Sequence, residues 1–220
     1  MNFITVNTCA EFICFLAALI FLFKDKDPAW RLFIPYMLLT CIVETCGIYM
    51  RLVAHVSNYQ LYNVFLLFEC LMMSFTFFNL YKPYGQRKKW LIVWLCCFAA
   101  MYITELIIHH VKAFVSVTAA IMSIVFVLAS LYFYYLKLNA ENFEPLQFSA
   151  SFWWVSGSLF FYFGSTACNI FFDYLSSSNV AVYLGYSVRS YIYYILDVIL
   201  YSFWSYAFIC RYIQRRSSSL

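Results

Sequence analysis

Seven stretches of the chain, at about 2–23, 30–54, 60–81, 89–110, 113–136, 149–172 and 188–212, are almost continuously apolar. At 1.5 Å of rise per helical residue, each is long enough to cross the roughly 30 Å hydrocarbon core of a bilayer. A segment in lipid must satisfy its own backbone hydrogen bonds, so apolar runs of this length form α-helices. Composition argues against a soluble core: of 220 residues, 65% are hydrophobic and 11% charged, where a soluble domain has roughly 25% charged. The expected fold is all-α, one domain over 1–220, a polytopic bundle of seven transmembrane helices. The links are short, as in Lys24-Asp25-Lys26-Asp27-Pro28, so consecutive helices are expected to be antiparallel neighbours.

Basic residues fix the orientation, because cytoplasmic links carry an excess of Lys and Arg. One side holds Lys24, Lys26, Arg31, Lys82, Arg87, Lys88, Lys89, Lys137, Arg211, Arg215 and Arg216, and the other only Arg51, Lys112 and Arg189. This places the amino terminus outside and the carboxyl terminus in the cytoplasm. Met1 to Phe23 is apolar from its start, with positive charge only after it, and reads as an uncleaved first helix. The expected location is the cell membrane, multi-pass, in a bacterium the inner membrane, with the lipid bilayer as first partner. The net charge of +4 forms no basic stripe, so no nucleic-acid partner is expected.

An ionisable residue in a membrane helix is costly, faces the bundle interior and often marks function. Glu11, Glu44, Glu69, Glu105, Asp173 and Asp197 all lie within or at the edge of the apolar stretches. Positions three and four apart share a helix face. Glu44 and Arg51 therefore align on the second segment, Tyr62, Asn63 and Glu69 on or beside one face of the third, and Tyr102 and Glu105 on the fourth. Tyr162, Asn169 and Asp173 follow on the sixth, and Arg189, Tyr194, Asp197 and Tyr201 on the seventh. Together they describe a ligand-binding vestibule open outward and closed toward the cytoplasm, with Arg51 and Arg189 as counter-charges able to hold a carboxylate or phosphate. The competing reading is that these groups pair simply to hold helices together. The stretch at 113–136 has no charge and is expected to be either the most lipid-facing helix or a purely structural one.

His55, His109 and His110 sit at helix ends as interfacial residues, and the nine cysteines form no CxxC pair, so neither a metal nor another cofactor is expected. The absence of a lysine after Lys137 excludes a retinal pigment of the microbial rhodopsin type. Pro35 followed by Glu44-Thr45-Cys46-Gly47, Leu61-Tyr62-Asn63-Val64-Phe65 with Phe68-Glu69, Phe152-Trp153 before Gly157-Ser158-Leu159-Phe160-Phe161-Tyr162, and Leu200-Tyr201-Ser202 before Ala207-Phe208 form a pattern over nearly the whole chain. In this pattern the chain resembles a group of bacterial seven-helix integral membrane proteins with no established activity, and the resemblance implies fold rather than function.

The expected function is that of a receptor-like or sensory protein that binds a small polar, amphipathic or lipid ligand and signals through a membrane or cytoplasmic partner. The alternative is a secondary transporter or proton-coupled permease, for which several mid-membrane carboxylates are the expected equipment. An enzyme is not expected, since no nucleophile, metal or phosphate motif stands out. Terminal tags test the topology: protease added to intact cells should remove an amino-terminal tag and spare a carboxyl-terminal one, and the reverse pattern would invert the bundle.

Overall fold

Each apolar stretch forms a helix in the computed structural model, which describes residues 5–85, 88–110, 113–140, 145–171 and 188–217. The helices are α1 (Val6–Leu22), a short α2 (Pro28–Arg31) leading into α3 (Phe33–Leu52), α4 (Tyr59–Tyr81), α5 (Lys88–Ile108), α6 (Ser116–Leu138), α7 (Ala150–Ile170) and α8 (Val188–Ser217). No strand occurs among the described residues. Five helical segments are long and apolar enough to cross a membrane: Pro28–Leu52, Tyr59–Tyr84, Lys88–Ile108, Ser116–Leu138 and Tyr191–Ser217, and α1 is a shorter apolar helix. This is the make-up of a multi-pass membrane protein. Helix α7, which buries Ser156, Ser158 and Ser165, is not among these five.

The outer faces of the helices carry many apolar side chains, with Ile13, Ile20, Trp90, Ile103, Ile107 and Phe163 all exposed. Such a surface suits hydrocarbon, and with lipid outside, apolar burial gives little drive for helix pairing. Close packing and polar contacts then decide the neighbours. The strongest pairings are α7 with α8, α1 with α8, α6 with α7, and α1 with α3. The first helix thus lies against the last. At Gly157 the α7 and α8 backbones approach so closely that a Cβ there would stand 2.7 Å from Phe203 Cβ.

For 113–136 the lipid-facing alternative is reversed. Helix α6 buries Thr118, Met122, Ser123, Phe126, Ser130 and Phe133, whereas α5 buries only Phe98, Tyr102 and Glu105. Lack of charge does not make a helix lipid-facing: α6 turns hydroxyls and large rings inward, and two of its serines bond their own backbone at Ala119 O and Phe126 O.

An aromatic cluster fills the end of the bundle nearer the α1–α2 link. Trp154 stacks on Trp204 with ring centres 5.8 Å apart, and Phe33 meets both edge-on at 5.8 and 5.5 Å. Phe77 adds an edge contact to Trp154 at 5.2 Å. Trp204 Nε1 donates to Trp154 O and Ser158 Oγ, each at 3.3 Å.

Asp25 ties the α1–α2 link to α8. Its buried carboxylate accepts from Asp27 N–H at 2.9 Å and from Arg211 Nε at 2.9 Å and Nη2 at 3.3 Å. Arg211 also lies over the Trp30 ring, 5.5 Å from its centre. Burial pushes the Asp25 carboxyl pKa up, but the Arg211 and Asp27 hydrogen bonds and the Arg211 and Arg215 charges outweigh it and hold it below the usual range. A lowered folded-state pKa contributes stability that is present above the unfolded value, about 3.9, and is lost as pH falls through the folded one. Asp25→Asn should therefore cost about 2 kcal/mol near neutral pH and flatten the acid-side loss of stability. Unchanged melting at neutral pH would show that α8 is not anchored through Asp25.

Candidate functional site

Four acids from four helices share one region of the interior: Glu11 of α1, Glu44 of α3, Glu69 of α4 and Asp197 of α8. Glu11 lies within electrostatic reach of Glu44 and Asp197, and Asp197 within reach of Glu44 and Glu69. Register places the aromatic cluster beside them. From Glu69 to Phe77, from Tyr162 to Trp154 and from Asp197 to Trp204 the separation is seven or eight residues, or about 12 Å along each helix.

The hydrogen-bond partners of these acids are neutral. Asp197 Oδ2 accepts from Asn7 Nδ2 at 2.6 Å, Glu44 Oε2 from the Tyr62 hydroxyl, and Glu69 Oε1 from the Tyr162 hydroxyl at 2.7 Å. Glu11 is only 2% exposed and forms no hydrogen bond among the described residues. Beside it, Asn7 Oδ1 is buried with no donor. No basic side chain pairs with any of the four acids among the described residues. The region is thus rich in acceptors and poor in donors, and burying such groups without a partner is costly.

Gly47 makes one of these contacts fit. A Cβ at this position would stand 2.6 Å from the Tyr62 hydroxyl oxygen. The bare Gly47 backbone leaves room for that hydroxyl to lie against α3 and reach Glu44.

The other expected site residues divide. Tyr201 is buried within electrostatic reach of Glu11 and Asp197, and so belongs with the acids. Tyr162 belongs there through Glu69. Asn63 and Glu105 are occupied elsewhere. Asn63 Nδ2 donates to Ala113 O at 3.0 Å, its Oδ1 accepts from Val115 N–H at 3.1 Å, and its carbonyl accepts from the Tyr102 hydroxyl at 3.0 Å. Glu105 accepts from Val117 N–H, Thr118 N–H and the Thr118 hydroxyl at 2.9, 2.7 and 2.6 Å. These two side chains fix the start of α6, where the first N–H groups of a helix lack intrahelical partners. Asn169 Oδ1 accepts from the Tyr193 hydroxyl at 3.2 Å and joins α7 to α8. Tyr194 is half-buried on α8, its ring 6.5 Å from that of Tyr191.

Arg51 does not neutralise Glu44. It is exposed in the last turn of α3 and forms no ion pair among the described residues. Seven residues put the two on one face but about 10 Å apart along the axis, and Tyr62 occupies the Glu44 oxygen instead. The Arg189 side chain, Asp173, Arg87 and Lys112 lie outside the described residues.

Asn7 and Tyr36 were not among the expected site residues. Asn7 precedes Glu11 by four positions, one helical turn, and that spacing was the available signal. Tyr36 lies within electrostatic reach of Glu69 and Glu11 and stacks on Phe65 with ring centres 6.1 Å apart. No family model, curated protein or solved structure matches the chain.

The packing of Tyr62 on Gly47 predicts a coupled pair. Gly47→Ala should cost about 1–3 kcal/mol by overpacking, and less in a Tyr62→Phe background, where the clashing hydroxyl is gone. Equal losses in both backgrounds would show that the alanine methyl meets something other than the Tyr62 hydroxyl.

Proposed function

We propose that the protein is receptor-like and takes a small amphipathic cation, an organic amine, among Glu11, Glu44, Glu69 and Asp197. The observation that carries this reading is that three of four neighbouring acids have only neutral hydrogen-bond partners and the fourth, Glu11, has none among the described residues, with Asn7 Oδ1 a further unused acceptor. A bound ammonium would supply both the missing positive charge and the missing donors. The ligand would act by favouring one helix packing over another, which requires that it bind the two unequally. In this reading seven helices cross the cell membrane with the amino terminus outside. The acids then lie toward the outer face, with the aromatic cluster closing the cytoplasmic side. Short links leave the signal to a membrane or cytoplasmic partner.

A second reading, a proton-coupled transporter, is favoured by one observation. The Glu44–Tyr62 and Glu69–Tyr162 pairs join carboxyls to hydroxyls across different helices, and intramembrane acids of this kind mark ion and proton pathways.

Thermal unfolding of the purified protein with alkylammonium ions and their uncharged alcohol analogues tests the proposal. A ligand that binds only the folded state raises its apparent stability, so the amines should stabilise, the alcohols should not, and Glu11→Gln should abolish the response. Stabilisation by carboxylates that disappears in Arg51→Gln would overturn the cationic reading in favour of an anionic ligand. Amine uptake into liposomes that stops when the proton gradient is dissipated would select the transporter.

A further inference from the structure

Two open grooves meet where α1 ends and the last turns of α8 run alongside the α1–α2 link. One, of about 700 Å³, is lined by Lys24, Lys26, Arg211, Arg215 and Arg216. Against these five basic side chains stand only Asp25 and Asp27. The other, of about 450 Å³, is lined by Leu19, Ile20, Phe23 and Tyr212, and shares Lys24 and Arg215 with the first. A charged groove therefore continues into an apolar one, with Lys24 and Arg215 at the junction.

The basic groups are unequally engaged. Arg211 is held by Asp25 at 2.9 Å and lies over Trp30. Arg215 is not so held: its Nη1 is 3.9 Å from Asp25 Oδ2, beyond hydrogen-bond distance, and is buried with no hydrogen-bond partner. Its guanidinium lies over the Tyr212 ring, 5.5 Å from the centre. Lys24 and Lys26 are exposed and form no ion pair among the described residues. A guanidinium donor with no acceptor, beside two unpaired ammonium groups, matches the oxygens of a phosphate. The exposed Ile20 and Phe23 beside them match an acyl chain.

We propose that these grooves form a site for one anionic phospholipid, its phosphate held by Lys24, Lys26 and Arg215 and one chain laid along Leu19, Ile20, Phe23 and Tyr212. The continuity of charged and apolar surface favours a lipid over a free anion, which would use the first groove alone. The site lies at the end of the bundle away from the acid cluster and is independent of what that cluster binds. Because it spans the α1–α8 seam, an occupied site joins the first helix to the last.

Native mass spectrometry of the protein released from micelles containing equal amounts of phosphatidylglycerol and phosphatidylcholine tests the site. The protein should retain phosphatidylglycerol preferentially. Lys24→Gln and Arg215→Gln should each weaken that retention about fivefold, the value of one basic residue near an anionic surface. Lys24 is exposed and unpaired, so its variant keeps the test valid should Arg215→Gln fail to fold. Phe23→Asn should weaken phosphatidylglycerol retention too, and Lys89→Gln, at the start of α5, should leave it unchanged. Equal retention of the two lipids, or an equal loss in Lys89→Gln, would reduce the effect to general surface charge. Displacement of phosphatidylglycerol by inorganic phosphate at similar concentration, with no effect of Phe23→Asn, would make this a free-anion site and overturn the lipid assignment.

Discussion

The first helix is held against the last by a polar contact toward each end, and the interior of the bundle depends on that closure. Asn7 meets Asp197 across 190 residues of sequence, and Asp25 meets Arg211 across 186. Lipid is as apolar as the outer faces of these helices, so burial alone does not select partners. Two specific polar contacts do, and they are of different kinds. The Asp25 contact is a charge-assisted pair at the end of the bundle, close to an aromatic face. The Asn7 contact is a single amide–carboxyl bond deep between helices, and it leaves the amide oxygen unused.

With α1 and α8 in place, α3, α4 and α7 complete an interior with two unlike halves. One half is filled by interlocking Trp154, Trp204, Phe33 and Phe77, where rings pack edge to face and leave little for a ligand to occupy. The other half holds Glu11, Glu44, Glu69 and Asp197 with tyrosines and Asn7. Their neutral partners, Asn7, Tyr62 and Tyr162, join α1 to α8, α3 to α4 and α4 to α7 and bring no counter-charge, which is the feature the proposed cation rests on. Asn63 and Glu105 instead tie α4 and α5 to the start of α6.

The helices were legible in the sequence because their cause, continuous apolar surface, is a property of each segment alone. The four acids were legible for the same reason: a carboxylate in an apolar run has few places to go but inward. The partners were not, since they are set by which helices meet. Asn63 and Glu105 looked like vestibule residues until the start of α6 was seen to fold back onto them, a contact with backbone N–H groups that no side-chain pattern announces. Arg51 shared a helical face with Glu44, but face alone ignores axial distance, and a tyrosine on another helix reached the carboxylate. Charge also misled at α6, whose inward hydroxyls and rings bury it more deeply than the charged α5.

In the proposed site Glu11 and Asp197 act on one and the same cation. Calorimetric titration of an alkylammonium into the wild type, Glu11→Gln, Asp197→Asn and the double variant measures this directly, since groups that share a ligand give non-additive losses. Each single variant should weaken binding, and the double variant should lose clearly less than the sum of the two losses. Strictly additive losses, or binding unaffected by either change, would contradict a shared cation.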